Sequence, residues 1–373
     1  QAVKALEKAV SSSNLGTVVE KTAYTWFNRL IALRFMDSNG YQPLGIKVLS
    51  SATWDSHIPE LLDEVNSGRI PSGLKVDEKL ILDILDGRVA STNPDNEVYR
   101  MLLVAACNGL HEIFPFLFEE INDYTELLLP EDLTSDKSII YDVVKGMDDE
   151  SCAEVEIIGW LYQFYISEKK DEVFASKSKV KKEDIPAATQ LFTPRWIVEY
   201  MVQNTVGKLW LQNRPQSKLR DFMPYYIESP SVKAEDYLKV SSPEELTLLD
   251  QACGSGHILV YGFELLSKIY EEEGYNPSEI PALIIKNNLF GFEIDDRASQ
   301  LAGMAILMKA RAYHRRFFRK GDVPEPHILC YQDLKLSEGE IKNIFEKLNI
   351  KPSDELIHDL ANMRQATNFG SLI

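Results

Sequence analysis

A glycine-containing turn between a short strand and a helix sets the tightest limit on how this chain can fold. The turn, DQACGSGH at 250–257, follows the strand candidate Thr247 to Asp250 and leads into a helix that opens at His257. Glycines permit positive φ and let a ligand approach the main chain at the carboxyl end of a strand, where open α/β sheets bind their ligands. An isolated pair such as Gly254 and Gly256 would equally suit a purely structural turn.

Two further strand candidates follow this turn. They are Leu289 to Glu293 and His327 to Tyr331, and helix-length segments separate the three strands. Such alternation predicts a parallel α/β sheet. The interval between the first two strands is longer than a minimal nucleotide-binding unit needs, so we expect Gly274 to Asn288 to add a short helix.

The first 180 residues show helical periodicity instead. Apolar residues recur on one face at Trp26, Phe27, Leu30, Ile31, Leu33 and Phe35, and again at Met101, Leu102, Ala105, Ala106 and Leu110. Breakers such as Asn39-Gly40 and Asn93-Pro94 mark joints between helices. We therefore predict an all-helical domain over 1–180 and an α/β domain over 181–373, connected by the polar, mobile segment 176–184.

Composition excludes several classes of protein. The formal charge of −17 over 373 residues argues against a surface that coats nucleic acid generally, because phosphate neutralisation needs clustered Lys and Arg. No apolar run approaches the ~20 residues that cross a bilayer, so we expect no membrane contact. The four cysteines form no CxxC pair. We therefore expect no metal site and no disulfide framework, and a reducing, cytoplasmic setting.

Acidic residues follow the second strand, in the sequence Gly291-Phe292-Glu293-Ile294-Asp295. A carboxylate at such a strand end can accept hydrogen bonds from both ribose hydroxyls of a nucleotide, which makes Glu293 the candidate ribose ligand, with Ile294 beside it. Taken alone, Glu293 and Asp295 would suit the N-terminus of the helix that begins near Arg297.

Two more segments add weaker candidates. Asp333 and Leu334 lie just past the third strand, where the carboxylate of Asp333 can accept a hydrogen bond from an adenine amino group or serve simply as a turn residue. Upstream of the glycine turn, Phe192-Thr193-Pro194 precedes an amphipathic segment. Thr193 can cap that helix, and Pro194 suits its first position.

Taken in order, FTP at 192–194, the turn at 250–257, GFEID at 291–295 and QDL at 332–334 resemble the gamma arrangement of DNA adenine methyltransferases. The turn is similar to their first motif, DPACGSGH, with Gln251 in place of the proline. Residues 24–45, YTWFNRLIALRFMDSNGYQPLG, resemble the helical domain of the PglX family, the adenine methyltransferases of bacteriophage-exclusion (BREX) systems.

The resemblance implies that the α/β domain is a Rossmann-like, S-adenosylmethionine-dependent methyltransferase domain. The cofactor-binding residues it implies are Phe192, Thr193, Pro194, Asp250, Ala252, Cys253, Gly254, Ser255, Gly256, His257, Glu293, Ile294, Asp333 and Leu334. It also implies methylation of adenine N6 in double-stranded DNA, within a phage-defence or restriction-modification system. The implied partners are the DNA, bound mainly by regions outside this chain, other phage-defence proteins and phage-encoded inhibitors.

Methylation of an exocyclic amine in this family also uses a motif in which Asn, Asp or Ser precedes Pro-Pro and an aromatic residue, which stacks on the flipped base. None of the seventeen prolines here is adjacent to another. We therefore expect the domain to be truncated before this motif and the chain to bind cofactor without catalysis. No catalytic residue is assigned.

Two other functions stay open at this point. The chain could be an S-adenosylmethionine-binding interaction or scaffold module of a defence complex. It could also be an NAD-dependent oxidoreductase, although GxGxxG is absent because Leu259 stands three residues after Gly256. Basic residues near the end of the helix that begins near Arg297 could touch phosphate or form a solvated face. They are Lys309, Arg311, Arg315, Arg316, Arg319 and Lys320, and Lys177, Lys179, Lys181 and Lys182 are similarly ambiguous.

Overall fold

A computed structural model describes residues 2–53, 56–118, 124–228, 237–319 and 323–372. The chain separates into two compact units, Gln1–Ile157 with Phe318–Gly321 and Ile158–Phe317 with Asp322–Ile373. This division falls within the first turn of a long helix, Glu156–Ala175, whereas the predicted domain boundary at 180 lies after that helix. Among the described residues, no helix is long and apolar enough to cross a membrane.

The first unit is built from helices, and its described residues contain no strand, as the periodicity predicts. The helices are α1 (Ala2–Ser12), α2 (Leu15–Asn39), α3 (Glu60–Asn66), α4 (Glu78–Leu85), α5 (Pro94–Leu110) and α6 (Ile139–Gly146). Gly40 ends α2 in the left-handed region with φ 63°, and Asn93 caps α5, which has Pro94 at its first position. The predicted joints at these residues are therefore present.

A buried carboxylate organises the chain that follows α2. Asp37 accepts hydrogen bonds from the main-chain N–H groups of Val48, Leu49 and Ser50 at 2.8–2.9 Å and from the Gln42 side chain at 2.8 Å. Each of these amides would cost about 1–3 kcal/mol if it were buried without an acceptor. Burial raises the pKa of Asp37 even though the hydrogen bonds oppose that shift.

The second unit contains a parallel sheet, which confirms the prediction from strand and helix alternation. In its described residues the sheet has three strands, β1 (Leu248–Asp250), β2 (Leu289–Glu293) and β3 (His327–Cys330), in the order β1-β2-β3. Asp250 lies opposite Gly291, and Glu293 lies opposite Cys330. The carboxyl ends of the three strands therefore meet along one edge, beside the glycine turn and Glu293.

Helices precede this sheet, connect its strands and follow it. They are α7 (Glu156–Ala175), α8 (Ile185–Thr189), α9 (Arg195–Val202), α10 (Lys208–Asn213), α11 (His257–Glu272), α12 (Ile280–Asn287), α13 (Asp296–Tyr313), α14 (Glu338–Lys347), α15 (Asp354–Asn362) and α16 (Ala366–Phe369). A π turn over Gln203–Gly207 joins α9 to α10. The predicted helices at His257, near Arg297 and within 274–288 are α11, α13 and α12.

The two faces of the sheet differ in what covers them. Helices α11 and α13 pack on one face, where a Cβ added at Gly262 of α11 would lie 2.5 Å from Leu248 Cδ2. On the other face, Leu249 and Leu329 are 51% and 62% exposed. Both faces of a parallel sheet are usually covered. The described residues leave this second face largely open.

Candidate functional site

The two positions in the turn require glycine for different structural reasons. Both are left-handed, with φ 53° at Gly254 and 88° at Gly256. A Cβ added at Gly256 would lie 3.0 Å from the Cα of Ala302 on α13, so close helix packing requires a glycine there. At Gly254 the nearest atom to such a Cβ is Gln190 Nε2, at 3.7 Å. Gly254 therefore faces space that a ligand can enter.

Glu293 ties this turn to the end of β2. Its Oε2 accepts the Gly254 N–H at 2.7 Å, and its Oε1 accepts the N–H groups of Ile294 at 2.8 Å and Asp295 at 3.1 Å. Burial raises the Glu293 pKa, and these three hydrogen bonds oppose the shift. A carboxylate offers about four acceptor positions. One position, on Oε2, is thus left for a ligand while the turn is held.

Asp295 has the structural role that the alternative interpretation predicts. Its Oδ1 accepts the Arg297 N–H at 3.0 Å and Arg297 Nε–H at 2.8 Å, so it caps α13. Its Oδ2 accepts a hydrogen bond from the Tyr162 hydroxyl. The two neighbouring carboxylates therefore have different structural roles: Glu293 accepts hydrogen bonds from the glycine turn, and Asp295 caps the N-terminus of α13.

A pocket of about 470 Å³, including its mouth open to solvent, lies in front of the turn. The predicted residues among those that line it are Phe192, Thr193, Asp250, Ala252, Cys253, Gly254, Ser255 and His257. The pocket is also lined by residues that no sequence motif marks, namely Gly159, Tyr162, Gln163, Gln190, Leu191 and Ile258. Most of the predicted residues upstream of β2 are thus brought together.

Helix α7 supplies one wall of this pocket. A Cβ added at Gly159 would lie 2.3 Å from His257 Nε2 and 2.6 Å from Ser255 Oγ, so α7 lies directly against the glycine turn. One residue later, the ring of Trp160 is 6.1 Å from Phe192, which in turn lies 4.1 Å from His257. A glycine inside a helical pattern can signal such an approach. Gly159, a glycine within the helical pattern of α7, was therefore the sequence signal that could have predicted this contact.

The charge of the pocket restricts its ligands. Asp250 is the one carboxylate among the lining residues, and none of those residues is Lys or Arg. Burial raises the Asp250 pKa, while the Ala252 N–H, 3.2 Å from Oδ1, opposes the shift. Burial also lowers the His257 pKa to about 4, which leaves the imidazole neutral at pH 7. This wall suits a ligand with positive charge better than a pyrophosphate.

Burial also limits the chemistry of the thiol in the turn. Cys253 is 6% exposed, and burial, together with the nearby carboxylates of Glu293 and Asp250, raises its pKa. A thiol that stays protonated is a poor nucleophile. Cys253 therefore serves as a lining residue. Among the described side chains, no group of His, Cys, Asp and Glu could hold a metal ion.

Asp333 and Leu334 lie outside the pocket wall, next to the C-terminal segment. Asp333 Oδ1 accepts the N–H of Thr367 at 3.0 Å and its hydroxyl at 2.8 Å, and Oδ2 accepts a hydrogen bond from Lys182 Nζ. The Lys182 ammonium, followed by Thr367, lowers the Asp333 pKa to about 2. The Leu334 N–H donates to the Met363 carbonyl at 2.9 Å.

The segment before α9 and the basic residues differ in part from expectation. Helix α9 begins at Arg195, with Pro194 at the N-cap position and no side-chain cap, so the expectation that Thr193 caps this helix is wrong. The proline ring has no acceptor to offer the free N–H groups. Of the basic residues, Lys309 pairs with Glu264, Arg315 and Arg316 are exposed, and Lys320 lies outside the described residues.

Comparison with known proteins gives the chain its relatives, although no family model matches it. It is 46% identical over 351 residues to the adenine-specific methyltransferase BrxX of Escherichia coli O9:H4 (strain HS). The aligned region covers 92% of this chain and 28% of that protein. It is 38% identical over 323 residues to the adenine-specific methyltransferase PglX of Lacticaseibacillus casei (strain Zhang). Here the aligned region covers 82% of this chain and 27% of that protein. The chain thus spans less than a third of the length of either relative. These matches confirm the resemblance found in the motifs, and over most of its length the chain is homologous to the adenine-specific methyltransferases BrxX and PglX.

Proposed function

We propose that this chain is the cofactor-binding part of an adenine-specific DNA methyltransferase and that its pocket holds S-adenosylmethionine. The observation that carries the proposal is the glycine turn at the end of β1, held open by the Glu293 carboxylate through the Gly254 N–H at 2.7 Å. The second unit then acts as a Rossmann-like donor domain. Helix α7 is part of that domain because its Gly159 lines the pocket.

The charges of the pocket fit this cofactor. S-adenosylmethionine carries a sulfonium and an ammonium group, so it presents positive charge to Asp250. The pocket wall has no Lys or Arg among its lining residues to neutralise a pyrophosphate. NAD would therefore lose hydration of two phosphates without a compensating cation. This difference favours S-adenosylmethionine over the dinucleotide alternative.

When bound, S-adenosylmethionine would supply a methyl group on its sulfonium. Attack by the adenine amine in line with the S–CH3 bond would break that bond, release S-adenosylhomocysteine and leave the amine to lose a proton. The residues of this chain bind and orient the donor, exclude water from the methionine end and keep the His257 imidazole neutral. The family's Pro-Pro motif for the acceptor amine has no counterpart in the sequence. We therefore propose that the chain alone binds cofactor without methyl transfer. Both relatives are adenine-specific methyltransferases, which supports adenine as the acceptor. The motif resemblance implies that this adenine lies in DNA and that the setting is a BREX-type defence system.

Titration calorimetry with S-adenosylmethionine and with NAD tests the proposal on wild type and two glycine variants. Gly254→Ala and Gly274→Ala share the left-handed strain of about 1–2 kcal/mol, because φ is 53° and 81°. Only the methyl group added at Gly254 would enter the pocket, because Gly254 is a lining residue and Gly274 is not. Nothing lies within 4 Å of a Cβ built at Gly274, so that variant adds the backbone strain without a clash. We expect saturable binding of S-adenosylmethionine, weakened about tenfold or more by Gly254→Ala alone, which corresponds to about 1.4 kcal/mol.

Two results contradict the proposal in different ways. Binding of NAD in preference to S-adenosylmethionine would indicate an oxidoreductase. Binding of neither ligand by the folded wild-type chain would mean that the turn is structural in this chain.

A further inference from the structure

We infer that Thr367 is a positioning residue that sets how the chain recognises the base of its cofactor, because it orients the carboxylate of Asp333. The inference rests on the proposed function, and it concerns a segment that no motif identified. It also assigns a role to the C-terminal residues 363–372, which pack against the edge of the sheet.

The sheet places Asp333 beside the expected ribose position. Glu293 at the end of β2 lies opposite Cys330 at the end of β3, and the Tyr331 N–H continues this pairing by donating to the Glu293 carbonyl at 2.7 Å. Neighbouring strands are about 4.8 Å apart. A nucleoside whose ribose lies at Glu293 and whose base points along this edge therefore brings that base to the residues that follow β3.

Asp333 does not lie in a strand or helix, so its carboxylate needs other groups to orient it. Thr367 does this with two hydrogen bonds to the same oxygen, Oδ1, from its main-chain N–H at 3.0 Å and its hydroxyl at 2.8 Å. Oδ1 has then used both of its acceptor positions. Oδ2 accepts from Lys182 Nζ and keeps one position, which is the position available to an amino group.

The segment that carries Thr367 is itself fixed at two points. The Leu334 N–H donates to the Met363 carbonyl at 2.9 Å, which joins the start of the segment to the chain beside Asp333. Gly370, with φ 51°, lies so close to β2 that an added Cβ would be 2.9 Å from Ile294 Cγ2. Thr367 is therefore held between Asp333 and the residue that follows Glu293.

The chemistry recognised at Oδ2 is the 6-amino group of adenine. A fixed carboxylate accepts a hydrogen bond from this amine, whereas the 6-oxo group of hypoxanthine presents an acceptor to the same oxygen. A site built around a hydrogen-bonding group discriminates strongly against an analogue that lacks the partner. If Thr367 orients Asp333, loss of its hydroxyl should reduce this discrimination more than it reduces affinity for the rest of the ligand.

The test compares the dissociation constants of S-adenosyl-L-homocysteine and S-inosyl-L-homocysteine, which differ at the 6-position, by calorimetry on the full chain. We expect wild type to prefer the adenosyl compound about tenfold or more. Thr367→Val should bring the ratio of the two constants toward one, and Asp333→Asn should do the same. Thr367→Ser, which keeps both the hydroxyl and the N–H, should retain the wild-type ratio.

The ratio separates a positioning role from a structural one. If Thr367→Val weakens both compounds equally and leaves the ratio at the wild-type value, the inference is overturned while the proposed function stands. If wild type binds both compounds with equal affinity, Asp333 does not read the base and the inference also fails. If wild type binds neither compound nor S-adenosylmethionine, the proposed function itself fails.

Discussion

Replacement of Gly159 by alanine probes the contact between α7 and the glycine turn. The added Cβ would lie 2.3 Å from His257 Nε2 and 2.6 Å from Ser255 Oγ, distances that real Cβ contacts do not reach. The His257 and Ser255 side chains must rotate away, or α7 itself must move. Overpacking of this kind costs about 1–3 kcal/mol. Alanine also favours the helix over glycine by about 0.5–1 kcal/mol, which offsets part of that cost.

Gly339→Ala is the matched control, because it isolates the helix term. Gly339 lies in α14 of the same unit, and nothing lies within 4 Å of a Cβ built there. The control should be slightly stabilised. We therefore expect the Gly159→Ala protein to be less stable than the Gly339→Ala protein by about 1–3 kcal/mol. Its affinity for S-adenosylmethionine should fall as well, since the displaced residues belong to the turn.

Urea denaturation followed by circular dichroism measures the difference in the free energy of unfolding. Hydrogen exchange of the α11 amides assigns the transition to the second unit, which matters because the chain has two compact units. The reasoning is refuted if Gly159→Ala stabilises the chain as much as Gly339→Ala does. In that case α7 would not press on the turn.

Two further predictions concern the sheet and its edge. Leu259→Ala should lower the free energy of unfolding by about 2–5 kcal/mol because this side chain is fully buried, whereas Leu329→Ala, 62% exposed, should change it by about 0.5 kcal/mol or less, as urea titrations would show. Lys182→Met should raise the Asp333 pKa from about 2 toward its ordinary value, which a carbon-13 NMR titration of the carboxyl group would detect. Because folding lowers the Asp333 pKa, the stabilisation that this carboxylate contributes is present above the ordinary value of 3.8 and is lost as pH falls toward 2. The Lys182→Met variant should therefore lose less stability than wild type between these two pH values. An unchanged Asp333 pKa in the variant would contradict the ion pair.

The sequence determined the features that depend on neighbouring residues. The strand, glycine turn and helix over 248–272 follow from an apolar run, from residues that tolerate positive φ and from amphipathic spacing, all of which are local. For the same reason α12 could be predicted between the first two strands. The parallel order of the strands follows from helix-length connections, since a parallel pair needs a crossover.

Only the tertiary structure decided how distant residues share the site. Glu293 and Asp295 have the same chemistry and lie two residues apart, yet one holds Gly254 and the other caps α13, because β2 ends at Glu293 and Asp295 already occupies the N-cap position of the helix. Packing likewise brings Gly159 against the turn and brings Thr367 to Asp333, 34 residues away. No local pattern encodes such pairs, since they exist only once helices and strands have chosen their partners.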